Sequence, residues 1–142
     1  MERAKEVTHA LLRIVAGFLF LHHGRQKLFG WFGGIPPNGG PAPFWSQAGI
    51  AGFIEFFGGL LVLLGLLTRP VAFVLAGEMA VAYFQFHQPR GSLPIQNQGE
   101  PAVLYCFLFL FFAAHGAGRF SLDALRARRR GLAEPRREAL VH

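Results

Sequence analysis

Four apolar runs take up most of this chain, at about 7–29, 50–67, 70–87 and 101–116. Each is interrupted or ended by ionisable residues: His22, His23 and Lys27 in the first, Glu55 in the second, Glu78 and His87 in the third, His115 in the fourth. Even on lenient insertion scales a charged group costs about 2.5–3.5 kcal/mol at the centre of a membrane helix, so it persists only facing another polar group or a wet cavity. The pattern predicts an all-α fold, a polytopic membrane four-helix bundle with a polar interior. Composition agrees, since 52% of the 142 residues are hydrophobic, 16 are Phe and only 15% are charged. A mean hydropathy of +0.34 is too apolar for an ordinary soluble domain of this length, and the length leaves room for one domain.

Charge sets the expected orientation. The net charge is +6, and with the N-terminus inside, Arg3, Lys5, Arg13, Arg69 and the seven basic residues from Arg119 onward face the cytoplasm, eleven in all, against three outside, Arg25, Lys27 and Arg90. Cytoplasmic loops carry the excess of Lys and Arg, so both termini are expected to be cytoplasmic and the protein to be multi-pass in a bacterial inner membrane. Nucleic acid is not an expected partner, because no aromatic or helix-turn-helix pattern accompanies the basic residues. The expected organisation is a cytoplasmic N-terminus at 1–6, a transmembrane unit at 7–125 and a basic, disordered cytoplasmic tail at 126–142, with the disorder setting in from Gly131. The arginines from Arg126 to Arg130 lie where they would meet anionic lipid.

The segments between the runs have their own signatures. Thr68-Arg69-Pro70 reads as a tight connection between the second and third helices, with Pro70 suited to a first helical turn. The Gly/Pro-rich stretch at 30–41 cannot hold a regular helix and is flanked by Trp31, Phe32, Phe44 and Trp45, which read as an interfacial belt or as a cap over the outer mouth. Ser121 is a candidate N-cap for a short helix, and Asp123 adds favourable negative charge to its first turn. Gly17 and Gly24 on the first helix, and Gly58, Gly59 and Gly65 along the second, let helices approach closely.

At about 1.5 Å of rise per residue, His23, Lys27, Glu55, Gln85, His87, Glu100 and Tyr105 fall in the outer half of the bundle and Glu78 near its middle. Two readings of Glu55 stand: an ion pair with Lys27 or a histidine that fixes helix packing, or exchange of protons or ligand. His22 and His23 are adjacent, so they point about 100° apart and only one faces the interior. No metal is assigned: His115 lies at the opposite end from His23 and His87, and a pair formed by those two with Glu55 or Glu100 is the one geometry open to an ion. Cys106 is the single cysteine, so no disulfide, CxxC pair or thiolate cluster can form. CxxCH, HExxH and Gly-rich nucleotide motifs are absent as well.

Several ordered motifs carry a family resemblance: Leu12-Arg13 followed by Gly17; His23-Gly24-x-x-Lys27-Leu28; Glu55-x-x-Gly58-Gly59-x-Leu61; Leu64-Gly65-Leu66-Leu67-Thr68-Arg69; Gly99-Glu100-x-Ala102 leading to Tyr105; and Gly116-x-Gly118-Arg119-Phe120-Ser121-Leu122-Asp123. From about Leu11 to Leu125 the chain resembles the DoxX family of small bacterial membrane proteins. The resemblance implies four membrane helices and a link to membrane redox assemblies, including one that passes electrons from thiosulfate to quinone. The matched positions are His23, Lys27, Glu55, Glu100, Tyr105, Arg119, Ser121 and Asp123.

The resulting expectation is a redox-associated inner-membrane subunit that binds a quinone or a small sulfur species in an outward-facing polar pocket. Lys27 and His23 would hold a carbonyl or anion, Glu55 would exchange protons, Phe53, Phe56 and Phe57 would supply apolar contact, and Glu100 and Tyr105 would complete the ligand site. Gly58, Gly59, Arg119, Ser121 and Asp123 would be structural. No intrinsic cofactor is expected beyond a bound quinone. The chain is at most a subunit of a quinone-linked oxidoreductase, with electrons drawn from a redox partner protein or from substrate. A non-catalytic scaffold and a small-solute or proton-coupled carrier, acting as a homo-oligomer, are the alternatives.

Overall fold

The computed structural model describes residues 1–138, with side-chain surroundings for residues 1–131. The described residues form six α-helices and no strand: α1 (Glu2–Phe29), α2 (Gln47–Leu64), α3 (Thr68–Ala82), α4 (Pro94–Asn97), α5 (Glu100–His115) and α6 (Leu122–Glu138). The all-α expectation holds. Helix α2 is the one described helix both long and apolar enough to cross a membrane by length and composition, and α5 is apolar but shorter. Its leading edge takes in Glu100, but Gly116, with φ +78°, ends it before Ala117 and Gly118.

Local chemistry sets the boundaries. Ser46 caps α2 by accepting the Gly49 N–H at 3.1 Å, which satisfies one of the orphan donors of the first turn. At the other end Gly65 turns left-handed, at φ +68°, and the Leu66 N–H reaches back to the Leu61 carbonyl at 2.9 Å. That glycine-terminated pattern closes α2 three residues before α3 begins. The connection is therefore 65–67, while Thr68-Arg69-Pro70 forms the first turn of α3; Gly65 ends α2 instead of lying within it, and a Cβ there would stand 2.5 Å from the Ser121 Cβ and 2.9 Å from Arg13 Nη1. Helix α6 continues to Glu138 where disorder is expected from Gly131, since Leu, Ala and Arg, which fill its first turns, favour helix. The expectation for 139–142 lies outside the described residues.

Two helix pairs make up the body, α1 against α2 and α3 against α5, with a sparser contact between α2 and α3. Glycines explain the first pair. A Cβ on Gly17 would stand 2.5 Å from the Leu63 nitrogen, and one on Gly59 would stand 2.7 Å from the Leu21 nitrogen, so the two backbones touch directly. Gly58 is turned to α3, where a Cβ would meet Leu75 at 2.7 Å. Phe20 then links the pairs, its ring 4.8 Å from Phe109 and 5.2 Å from Tyr105 on α5.

One end of the molecule is tied by polar contacts to main-chain atoms. Arg13, 1% exposed, donates to the carbonyls of Val62 (2.7 Å), Leu63 (2.5 Å), Ala117 (3.0 Å) and Phe120 (2.7 Å). These carbonyls lie near the end of α2 and in the segment after α5, where helical partners run out. The Asp123 carboxylate accepts the N–H groups of Leu67 (2.9 Å) and Thr68 (3.0 Å), and so caps α3 as well as charging its own helix. Ser121 is the expected N-cap, accepting the Ala124 N–H at 3.1 Å. Arg119 is exposed and pairs with Glu6 at 3.3 Å.

Candidate functional site

At the opposite end a cavity of about 720 Å³ opens among α1, α2, α3 and α5. Its position follows from the packing: α1–α2 and α3–α5 are each closely joined, and the looser seams between the pairs, α2–α3 and α1–α5, leave space between them. Ile50 (49% exposed), Val74 (53%), Val81 (49%) and Phe86 (50%) line it and also reach the outer surface. The cavity therefore opens sideways between α2 and α3. Phe20, Ile54 and Met79 continue the apolar wall. The volume falls in the range of about 300–1,000 Å³ typical of small-molecule sites.

Six polar side chains from the apolar runs converge here: His23 and Lys27 from α1, Glu55 from α2, Glu78 from α3, His87 from the end of the third run and Tyr105 from α5. Lys27 donates to Glu55 Oε1. Glu55 is 2% exposed and Lys27 about a quarter exposed, so the pair is desolvated on the carboxylate side and open at the ammonium. Glu55 Oε2 and both carboxyl oxygens of Glu78 are buried without a hydrogen-bond partner among the described residues. His23 faces Tyr105 edge to face at 6.3 Å. His22 turns away, its Nδ1 2.7 Å from the Phe18 carbonyl, as their spacing requires.

Not every expected residue reaches the cavity. Phe56 is rotated about one-third of a turn from Glu55 and packs on Phe29 and Phe57, at 5.6 and 5.1 Å; Phe53 and Phe57 are exposed on the outer face. The apolar wall comes from other residues. Glu100 is exposed in the first turn of α5, and its neighbours Pro101 and Ala102 line the cavity instead. His115 is at the far end of α5, with Nδ1 3.0 Å from the Phe111 carbonyl. Among the described residues no group of three His, Cys, Asp or Glu side chains is placed to hold a metal ion.

The structure adds local geometry that the sequence does not reveal. The third apolar run leaves α-helical geometry in a π turn at Tyr83–His87, a distortion frequent at functional sites, which brings Phe86 and His87 to the cavity. Asn97, 1% exposed, fixes the following loop: its side chain donates to Tyr83 Oη (3.2 Å) and the Gly91 carbonyl (2.9 Å) and accepts the Gly99 N–H (2.8 Å). Its carbonyl lies 3.1 Å from His87 Nδ1. This sets Gln98 at the cavity wall.

The family model described as DoxX matches residues 8–88, which contain His23, Lys27, Glu55 and Glu78. The chain belongs to the DoxX family. It is 42% identical over 130 residues to an uncharacterized protein of Haemophilus influenzae, covering 87% of this chain and 93% of the relative. It is 29% identical to the inner membrane protein YqjF of Escherichia coli, over 88% of this chain and 96% of that one. It is 36% identical over 123 residues to a Bacillus subtilis protein named "Putative oxidoreductase CatD", covering 87% and 90% of the two chains. No solved structure matches. As a DoxX-family protein the chain is a membrane protein, which accounts for the many large apolar side chains exposed on α1, α2, α3 and α5.

Proposed function

We propose that this DoxX-family protein is a four-span, multi-pass inner-membrane protein with both termini cytoplasmic, and that its cavity binds quinone as part of a redox assembly. The observation that carries this reading is the Lys27–Glu55 pair set in the wall of an otherwise mainly apolar cavity that opens sideways. A ring carried in the lipid would enter between α2 and α3, and its carbonyl oxygen would meet the exposed side of the Lys27 ammonium and His23. Reduction of a quinone to a quinol takes two electrons and two protons. Glu55 is the group proposed to exchange protons, and a redox partner protein or a reduced sulfur species supplies the electrons. The CatD name associates one relative with oxidoreduction, and the excess of basic residues at the end carrying the termini supports the orientation.

The test is extraction of the protein, purified in mild detergent, with organic solvent, followed by assay of the extract for quinone and of the protein for metal and visible absorbance. Stoichiometric quinone in the wild type, reduced at least about tenfold by Lys27→Ala, supports the reading. In membranes, Glu55→Gln is expected to abolish quinone-linked activity and leave folding intact. A protein with neither quinone nor metal favours a scaffold or a carrier instead.

A further inference from the structure

The cavity has more acidic groups than its one lysine can neutralise. Lys27 is its single Lys or Arg, and it is committed to Glu55. Glu78 shares the same wall with both carboxyl oxygens buried and unpartnered, and Glu55 Oε2 is likewise unpartnered on a side chain 2% exposed. His23, His87 and Tyr105 also face the cavity, but none hydrogen-bonds to Glu78 in this structure; His87 Nδ1 lies against the Asn97 carbonyl. A buried carboxylate with no counter-charge is costly unless a proton or a cation meets it. Phe20, Phe86 and Tyr105 line the same space, and aromatic faces attract cations once water is excluded.

We propose that the cavity is a binding site for a monovalent organic cation with an apolar body, which Glu78 accepts in exchange for a proton. The apolar walls take the body and the sideways opening admits it from the lipid. Glu78 supplies the charge that Lys27 leaves uncompensated. Charge balances, with one cation entering as one proton leaves, and no bond other than that to the proton is made or broken. The proposal does not depend on quinone binding.

Tetraphenylphosphonium titrated calorimetrically onto the full-length protein in mild detergent tests it, with proton release followed in weak buffer. The expected result is saturable binding with release of a proton and weaker affinity as pH falls. Affinity should drop at least about tenfold in Glu78→Gln and be unchanged in Glu100→Gln, whose side chain is outside the cavity. Val74→Trp, which narrows the opening and leaves Glu78 in place, is expected to weaken binding too, and covers the case in which Glu78→Gln does not fold. Absence of saturable binding to folded wild type, binding without proton release, or full affinity in both Glu78→Gln and Val74→Trp would overturn the proposal. Quinone retained by a Glu78→Gln protein that has lost cation binding would separate this site's chemistry from the quinone reading.

Discussion

The Arg13 guanidinium donates through Nε to the carbonyl of Ala117, 104 positions later in the chain, at 3.0 Å. With its other three bonds it joins the N-terminal half of α1 to the end of α2 and to the segment leading into α6. The four acceptors are main-chain oxygens in the last turn of α2 and in the segment after α5, and a fork of rigid N–H groups reaches several of them at once in a way an ammonium does not. A hydrogen bond from a charged group contributes about 1.5–3 kcal/mol. Arg13→Ala is therefore expected to cost several kcal/mol, and Arg13→Lys to recover only part of it. Thermal unfolding in detergent with a parallel size-exclusion profile measures this, and an unchanged midpoint in Arg13→Ala would remove the role.

Asp123 acts at the same end with a smaller stake. Both of its oxygens accept N–H groups at the start of α3, and its own N–H returns to the Gly65 carbonyl at 2.8 Å. Loss of an N-cap side chain costs about 0.5–2 kcal/mol. Asp123→Ala is expected in that range, and Asp123→Asn, which keeps one acceptor oxygen, below it. Amide exchange at Leu67 and Thr68 should quicken in Asp123→Ala before the rest of α3 is affected; protection unchanged at those two amides would contradict the capping assignment.

How much of this was legible depends on which physical rule decides each residue. Lys27, Glu55, His23 and Tyr105 could be found because ionisable or hydroxyl groups within apolar runs must find polar company, and the structure brings all four to one cavity. Phe56 follows Glu55 in sequence, and adjacency was taken for proximity; on a helix the next residue turns about 100° away, so the phase of Glu55 already excludes it. Glu100 stands in the right stretch, but its place in the first turn of α5 leaves it exposed. The sequence places Arg13 only among the charges expected to face the cytoplasm, because nothing local reveals that its acceptors are carbonyls far along the chain. Asn97 and the π turn at Tyr83–His87 were equally hidden, since their partners are settled by the fold of a loop that carries no periodic signal.

The α1–α2 contact gives a steric prediction. Gly59 meets the backbone of α1 directly, and a Cβ there would lie 2.7 Å from the Leu21 nitrogen and 2.9 Å from the Gly17 carbonyl oxygen. Backbone cannot yield as a flexible side chain does. Overpacking a close contact costs about 1–3 kcal/mol or more, so Gly59→Val is expected to lower the unfolding midpoint sharply or abolish recovery of monodisperse protein. Gly77→Val, on α3, where an added Cβ would find open space, is the matched control, and because valine has the better helix propensity it is expected to leave the midpoint unchanged or slightly raised. Equal behaviour of the two variants would show that the helices are not held at this distance.

The Lys27–Glu55 pair separates a structural role from a ligand role. Removing one partner of a buried pair leaves a charge without compensation and costs about 3–5 kcal/mol, whereas replacing both by apolar groups of similar volume is often neutral. Lys27→Met alone is expected to destabilise the protein, because it strands a Glu55 side chain that is 2% exposed. Lys27→Met combined with Glu55→Leu is expected to return most of that stability. If the pair serves packing alone, the double variant should also match the wild type in bound quinone. If it holds the ligand, the double variant should regain most of that stability and still lack quinone, and measuring the unfolding midpoint and quinone content on the wild type, Lys27→Met and the double variant distinguishes the two.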